Sequence, residues 1–481
     1  MLFRDGNKNL YRFLVAGIIL LGFFTIKISP LPWYDEVDFS SITYSYSNNK
    51  TFFCSANDLY FPVKGKEVLY YGPVYFVLNS AITKLFGFGI LQSRLLNFLA
   101  AIVCIYLFIK LSERLSGGKW TATGKALFAL LILSDYTYLQ DMHSGRMDLL
   151  ALMFVLAGLL LADISSKRIW LHFLLSGILI AVGLLTTPRV YFLVLPYYSY
   201  LLYMYFKTRR NDLLGGIVCA GVAACLVYLA WIVLKFGGIK GYISYINAPA
   251  TVFDNAAGGF FMLNTNITPY QWVSYCLLFL VLAMAAWKNY RVLLQPENTT
   301  ALATIVLFLL LGGGSLIYMS LISGFIYVVV VGVGSRLSRW GNGVIALLLV
   351  FNVGLIGYKY FVVLRDCNGR SSEKLAGWMS HAIAPGSKIV ADDKYYYAVT
   401  GGRSQFQYYA RGGTDAERVA YHTAIWKANY LLVGDTTTGL FREYRRHANL
   451  QLLDEYKPPG VPAGNAGYTT SYEGFLFGFV R

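Results

Sequence analysis

Asp35 and Glu36 are adjacent carboxylates in the stretch Pro30-Leu-Pro-Trp-Tyr-Asp-Glu-Val-Asp38, directly after a long apolar segment that begins near Leu10. A carboxylate at that place can act as a general base when a substrate hydroxyl comes within hydrogen-bond reach. Three further polar stretches sit at the ends of apolar runs: Gln92-Ser-Arg94-Leu-Leu-Asn-Phe98, Asp141-Met-His143-Ser-Gly-Arg146-Met-Asp148 and Thr186-Thr-Pro-Arg189-Val-Tyr191. Charged groups at such depths cost energy and are candidates for function. Together they suit an anionic lipid headgroup held by arginine, with a carboxylate left to activate a nucleophile. Each also has an ordinary reading. The acidic pair reads as a solvated loop, Arg94 as a snorkelling anchor, and Arg146 with Asp148 as an ion pair or helix cap. Arg189 reads as a helix boundary, His143 as a surface-loop histidine, and Asp135 as a buried hydrogen-bonding group. Their common side and depth favour the functional reading.

The elements that position them are membrane helices. The 481 residues are 56% hydrophobic and 14% charged, with mean hydropathy +0.51, a composition that soluble globules of this size do not show. The net charge of +16 does not point to nucleic acid, because the basic residues cluster in short gaps between apolar runs. Lys110, Arg114, Lys119 and Lys125 fill one such gap, and Lys207, Arg209 and Arg210 another. These groups recur at every second gap, the positive-inside pattern, and place the N-terminus in the cytoplasm. The first apolar segment ends in Lys27 without a small-residue cleavage site, which favours an uncleaved span.

Hydropathy then predicts about eleven spans, near 10–28, 91–110, 125–141, 148–164, 170–187, 190–206, 213–234, 271–287, 300–315, 320–334 and 342–363. The two around Gly312-Gly-Gly-Ser315 also fit one broken helix. Residues 29–90 and 235–270 become external loops of a transmembrane domain covering 1–364. Within the first loop, residues 70–86 are apolar but short and rich in tyrosine, as in a helix lying in the interface. From residue 365 to 481 the composition changes: a helix over 371–384 and strands at 386–391, 429–433, 450–453 and 474–480 predict a small soluble α/β domain on the extracytoplasmic side. The six cysteines have no metal-ligand spacing. Only Cys54 and Cys367 fall outside the membrane, where a disulfide between them is conceivable. No phosphate-binding glycine fingerprint is present.

At this point the chain resembles the GT-C superfamily of polyprenyl-phosphate-sugar glycosyltransferases, in the branch of protein O-mannosyltransferases and lipid A aminoarabinose transferases. The resemblance spans roughly residues 10–360. It rests on Asp35-Glu36 after the first span, Gly72-Pro73-Val-Tyr75, Ser93-Arg94-Leu95 and Arg146-Met-Asp148, in that order along the chain. It implies that Asp35 is the base at the acceptor and that Glu36 shapes the site. It further implies that Arg94 meets the donor phosphate, with Arg189 the nearest match for a second phosphate-binding residue. Arg146, Asp148, His143, Tyr71 and Tyr75 would shape the site. Some members carry a lysine where this chain has Tyr70-Tyr71-Gly72, which leaves Lys64 or Lys66 as substitutes.

The function expected is inverting transfer of a sugar from a polyprenyl-phosphate carrier to the hydroxyl of a glycan, lipid or protein acceptor. The setting is a bacterial cytoplasmic membrane. A divalent metal is not required, although Glu36 and Asp38 can supply oxygen ligands. A transporter or lipid flippase is the rival reading, but it commonly shows paired internal repeats, and none is visible. A membrane-anchored receptor would leave the acidic pair without a role.

Overall fold

Apolar runs fold as helices because a buried or lipid-facing backbone must satisfy its own hydrogen bonds. The computed structural model describes residues 5–56, 67–69, 71–118, 120–162, 168–245, 269–311, 318–334, 339–401, 403–409, 414–458 and 472–480. A helix occupies each of the eleven expected spans: α1 (Lys8–Thr25), α4 (Ile90–Leu115), α5 (Ala122–Leu133) with α6 (Tyr136–Met142), α7 (Asp148–Leu161), α8 (Ile169–Leu184), α9 (Tyr191–Thr208), α10 (Asn211–Phe236), α11 (Pro269–Leu293), α12 (Pro296–Leu311), α13 (Ser320–Gly334) and α14 (Arg339–Arg365). By length and composition, α1, α4, α10 and α14 can each cross a bilayer. The 14 residues of α7 rise only about 21 Å against a hydrocarbon core of about 30 Å, and most of them are buried among other helices. The outer helices point apolar side chains outward, as α10 does with Val218, Val222, Leu226, Val233 and Leu234. This is a multi-pass membrane protein.

The third expected span is not continuous. Ser134 closes α5 and Asp135 caps α6, the Asp135 Oδ1 accepting from the Tyr138 backbone N–H at 2.9 Å and its Oδ2 from the Tyr327 hydroxyl at 2.9 Å. Its ordinary reading, a buried hydrogen-bonding group, is the one the structure bears out. Around Gly312, α12 and α13 are two helices packed against each other, with residues 312–317 outside the described residues. Of the second external loop, 246–268 also lie outside them.

The first loop holds two further helices, α2 (Tyr34–Asn49) and α3 (Val74–Phe86). α3 lies within the short apolar stretch expected at 70–86. α2 was not foreseen, because its sequence has no apolar stripe at helical period. It is nevertheless largely buried, Glu36, Asp38, Ser40, Ser41, Thr43 and Ser45 included.

After α14 and the helix α15 (Ser372–Ala382), a five-stranded sheet forms from β1 (Lys388–Ala391), β2 (Gln405–Tyr408), β3 (Tyr430–Val433), β4 (Leu450–Tyr456) and β5 (Gly474–Phe479). Its order is β2-β1-β3-β5-β4, with β2, β1 and β3 parallel and β5 antiparallel to both β3 and β4. Four strands fall where the pattern predicts them. β2 escaped because Gln405 and Gln407 leave only two apolar positions to signal a strand. Helices α16 (Tyr396–Gly401), α17 (Asp415–Ala420) and α18 (Gly439–His447) complete this region.

One hydrophobic core joins the first loop to this sheet. Val37, Phe39, Ile42, Phe52, Tyr75 and Phe76 pack in a single cluster with Leu375, Ile389, Tyr397, Phe406 and Leu432. Each large apolar side chain removed from water is worth about 1.5–3 kcal/mol, so the sheet is bound to α2 and α3 by ordinary core packing. Cys54 and Cys367 are free thiols and form no disulfide; Cys54 instead lies with its Sγ 3.5 Å from Asp38 Oδ1.

Candidate active site

The carboxylates lie in the first turn of α2, whose N-cap is Trp33. A helix N-terminus favours negative charge, and successive residues there point in different directions. Glu36 turns towards α4 and meets Arg94 in a two-pronged pair, Nε to Oε1 at 2.6 Å and Nη2 to Oε2 at 2.8 Å. Arg94 Nη1 donates to the Ile26 carbonyl at 2.7 Å, and both side chains have no exposed surface. Gly145 lies against this pair: a Cβ there would stand 2.9 Å from Glu36 Cγ, so the turn before Arg146 needs glycine.

Asp35 turns the other way. It keeps 23% exposure, and its Oδ2 accepts from Arg146 Nη1. Arg146 also donates from Nε to Asp148 Oδ2 at 2.7 Å. Burial works against its charge, yet Asp148, Asp35 and Asp141 around it raise the guanidinium pKa above its ordinary value. Asp141 itself is held by Ser320 and Ser144 hydroxyls at 2.7 and 3.1 Å. The guanidinium of Arg146 lies 5.3 Å from the Trp33 ring centre and 5.1 Å from that of Tyr318.

Tyr318 carries a second cation. Arg189 lies over its ring at 3.6 Å, makes no ion pair with a described residue, and its Nη1 is buried without a hydrogen-bond partner among them. The turn bearing Arg189 is fixed by the Gly72-Pro73 stretch. A Cβ at Gly72 would stand 2.0 Å from the Leu185 carbonyl oxygen, and Val74 N–H reaches that same oxygen at 3.4 Å. Tyr71 bridges the two halves electrostatically, with Arg189, Asp35, Arg146 and Asp148 all acting on its phenol. Burial pushes that phenol up to about 12, which leaves Tyr71 neutral at physiological pH.

The site is thus a half-open cluster: an accessible carboxylate, a cation orienting it, and a nearby cation stacked on Tyr318 with no ion pair among the described residues. Residues 71–234, which include Arg94, Arg146 and Arg189, match the model of the dolichyl-phosphate-mannose-protein mannosyltransferase family. The whole chain is similar in fold to ArnT from Cupriavidus metallidurans bound to undecaprenyl phosphate, with a TM-score of 0.64 and 13% identity over 98% of both chains. The same protein in its apo state gives 0.61 and 12%, again over 98% of each. The Archaeoglobus fulgidus oligosaccharyltransferase in its apo form gives 0.52 and 13%, over 90% of this chain and 71% of that one. No curated protein sequence matches the chain. The chain shares the fold of these proteins.

The remaining expected residues separate into two groups. Tyr75 is a fully buried strut, its hydroxyl donating to the Gly145 carbonyl at 2.7 Å. His143 is buried rather than on the surface, packed against Gly22, Phe98 and Tyr360. Burial, with the Lys359 ammonium adding to it, pushes its imidazole down to about 3, so it is neutral. Neither residue contacts Asp35. Lys64 and Lys66 lie outside the described residues. The oxygens offered for a metal are engaged elsewhere: Glu36 by Arg94, and Asp38 by the Tyr408 hydroxyl at 3.0 Å. Among the described residues no group of three or more His, Cys, Asp or Glu is placed to hold a metal ion.

Sequence reasoning missed Tyr318, Tyr397 and Tyr408. With 38 tyrosines in the chain, no spacing singles these out. Tyr318 follows the glycine-rich stretch Gly312-Gly-Gly-Ser315, the one local signal in the sequence near it.

Proposed function

We propose that this protein is a membrane glycosyltransferase that moves a sugar from a polyprenyl-phosphate carrier to an acceptor hydroxyl on the extracytoplasmic face. The observation that carries this reading is the placement of Asp35, held by Arg146, near Arg189, which is stacked on Tyr318 and makes no ion pair among the described residues. Asp35 accepts the proton of the acceptor hydroxyl as its oxygen attacks the anomeric carbon from the side opposite the phosphate. The bond from that carbon to the phosphate oxygen breaks, its electron pair leaves with the lipid phosphate, and the configuration inverts. Arg189 stabilises charge on the departing phosphate. Arg146 orients Asp35 through their ion pair. Arg94, assigned to the phosphate by resemblance, is here fully engaged with Glu36 and acts by holding α2.

The similar fold of a protein solved with undecaprenyl phosphate, and a family named for a dolichyl-phosphate donor, support the class of donor. The alternating basic gaps support a cytoplasmic N-terminus and residues beyond about 364 outside, and the similar fold of ArnT from Cupriavidus metallidurans supports a bacterial cytoplasmic membrane. We divide the chain there, into a transmembrane part and an extracytoplasmic α/β part.

The test is reconstitution. Purified protein in liposomes, given polyprenyl-phosphate-linked sugars and envelope extract from the producing cells, is expected to release polyprenyl phosphate and form a glycoside of inverted configuration. Movement of the labelled lipid across the bilayer with no new glycoside would overturn the reading in favour of a flippase.

A further inference from the structure

The C-terminal sheet reaches the catalytic turn through two tyrosines. The Tyr408 hydroxyl, at the end of β2, lies 2.9 Å from the Tyr34 carbonyl oxygen and 3.0 Å from Asp38 Oδ1. That carbonyl belongs to the peptide group directly preceding Asp35. The Tyr397 hydroxyl, on α16, lies 2.6 Å from Ser40 Oγ and 3.5 Å from Glu36 Oε1. Backbone and amide contacts reinforce them: Tyr408 N–H donates to the Ala56 carbonyl at 3.2 Å, and Gln407 Nε2 to the Ser55 carbonyl at 2.8 Å. All of these groups lie some 350 residues from α2 in the chain.

We propose that Tyr408 and Tyr397 are positioning residues, through which the C-terminal sheet holds the first turn of α2 so that Asp35 meets the acceptor hydroxyl. This rests on the reading of Asp35 as the base. The turn is gripped from two sides. Arg146 takes the Asp35 carboxylate from the α6–α7 side, and Tyr408 takes the Tyr34 carbonyl and Asp38 from the sheet side. Asp38 is buried, so its charge is held by hydrogen bonds such as that from Tyr408. Loss of that hydroxyl leaves α2 its hydrophobic packing but frees its first turn to shift. Displacement of a catalytic group by about 1 Å can cost up to about 100-fold in rate. The sheet is therefore part of the reaction centre rather than an appendage to it.

The next residue supplies a control. Tyr409 turns to the opposite side of the sheet, its hydroxyl 3.0 Å from Thr438 Oγ1 and its ring stacked on Tyr444. Tyr409→Phe removes a comparable hydroxyl without touching α2.

The experiment uses full-length protein in native membranes, which contain the acceptor, supplied with polyprenyl-phosphate-linked sugars extracted from the same cells. Turnover is read as release of polyprenyl phosphate. Tyr408→Phe is expected to lower kcat roughly 10-fold, with the donor KM within about 2-fold of wild type. Tyr397→Phe should act in the same direction. Tyr409→Phe should lose similar thermal stability and keep its kcat. A wild-type kcat in Tyr408→Phe, or an equal loss in Tyr409→Phe, overturns the proposal. Asp35→Asn is measured alongside. If it retains turnover, the base itself is misassigned. If it collapses while Tyr408→Phe turns over normally, only the role of the sheet is lost.

Discussion

Asp35 and Glu36 are neighbours in the chain and opposites in the fold. Successive helix positions point about 100° apart, which sends Glu36 into the protein and Asp35 to its half-open edge. Glu36 and Arg94 are both fully buried and bonded along two prongs, with the last Arg94 nitrogen given to Ile26. Asp35 keeps 23% exposure, and only its Oδ2 is bonded to Arg146. The same two residue types therefore make two different devices. A carboxylate closed on both oxygens is a strut joining α2 to α4. One left open on an edge remains able to take a proton. Arg94 and Arg189 differ in the same way, the first saturated and the second stacked on Tyr318 without an ion-pair partner among the described residues.

The sharpest way to break that contrast is Asp35→Asn, which keeps the shape and removes the basicity. Loss of a general base typically costs on the order of 10²–10⁴ in rate. Glycosyl transfer should collapse while thermal unfolding in detergent stays near wild type. Near-normal transfer would show that the open carboxylate is not the base.

Arg94→Ala should fail in the opposite manner. Removing one partner of a buried ion pair costs about 3–5 kcal/mol, and here it leaves the buried Glu36 without its guanidinium. We expect a large drop in the thermal midpoint, with or without lipid. Arg94→Lys should recover only part of it, since an ammonium cannot replace the planar fork. A variant with a wild-type midpoint but weakened binding of undecaprenyl phosphate would return Arg94 to the donor site.

The smallest effect is expected at Arg189. Charge-assisted hydrogen bonds are worth about 1.5–3 kcal/mol, so Arg189→Ala should weaken undecaprenyl phosphate binding about 10-fold or more, with little change in unfolding temperature. Binding measured by native mass spectrometry would show this. Unchanged affinity would make Arg189 an anchor on Tyr318 and place the phosphate elsewhere.

Much of the framework is legible in the residues. Apolar runs longer than about 15 residues can only be helices in or against a bilayer, and each expected span contains one. Asp135 shows where that reading stops. Hydropathy averages over a window, so a two-residue break, with Ser134 closing one helix and Asp135 capping the next, leaves no trace. α2 shows a second limit. It is buried by its surroundings rather than by an apolar stripe of its own, so periodicity has nothing to detect.

By itself the sequence determined that this is a multi-pass membrane protein with carboxylates and arginines near the ends of its helices, because composition and local period follow from chain chemistry alone. It also placed Asp35, Glu36, Arg94, Arg146 and Arg189 among the candidates. Which arginine serves which carboxylate was decided only by the tertiary structure. Arg94 reaches Glu36 across 58 positions and Arg146 reaches Asp35 across 111, and a pairing of that kind depends on how helices cross. The tyrosines of the sheet lie further still: Tyr397 is 361 positions from Glu36, and Tyr408 is 370 from Asp38. Side chains so distant in the chain meet only because a shared hydrophobic core presses the sheet onto α2, and no local pattern carries that information.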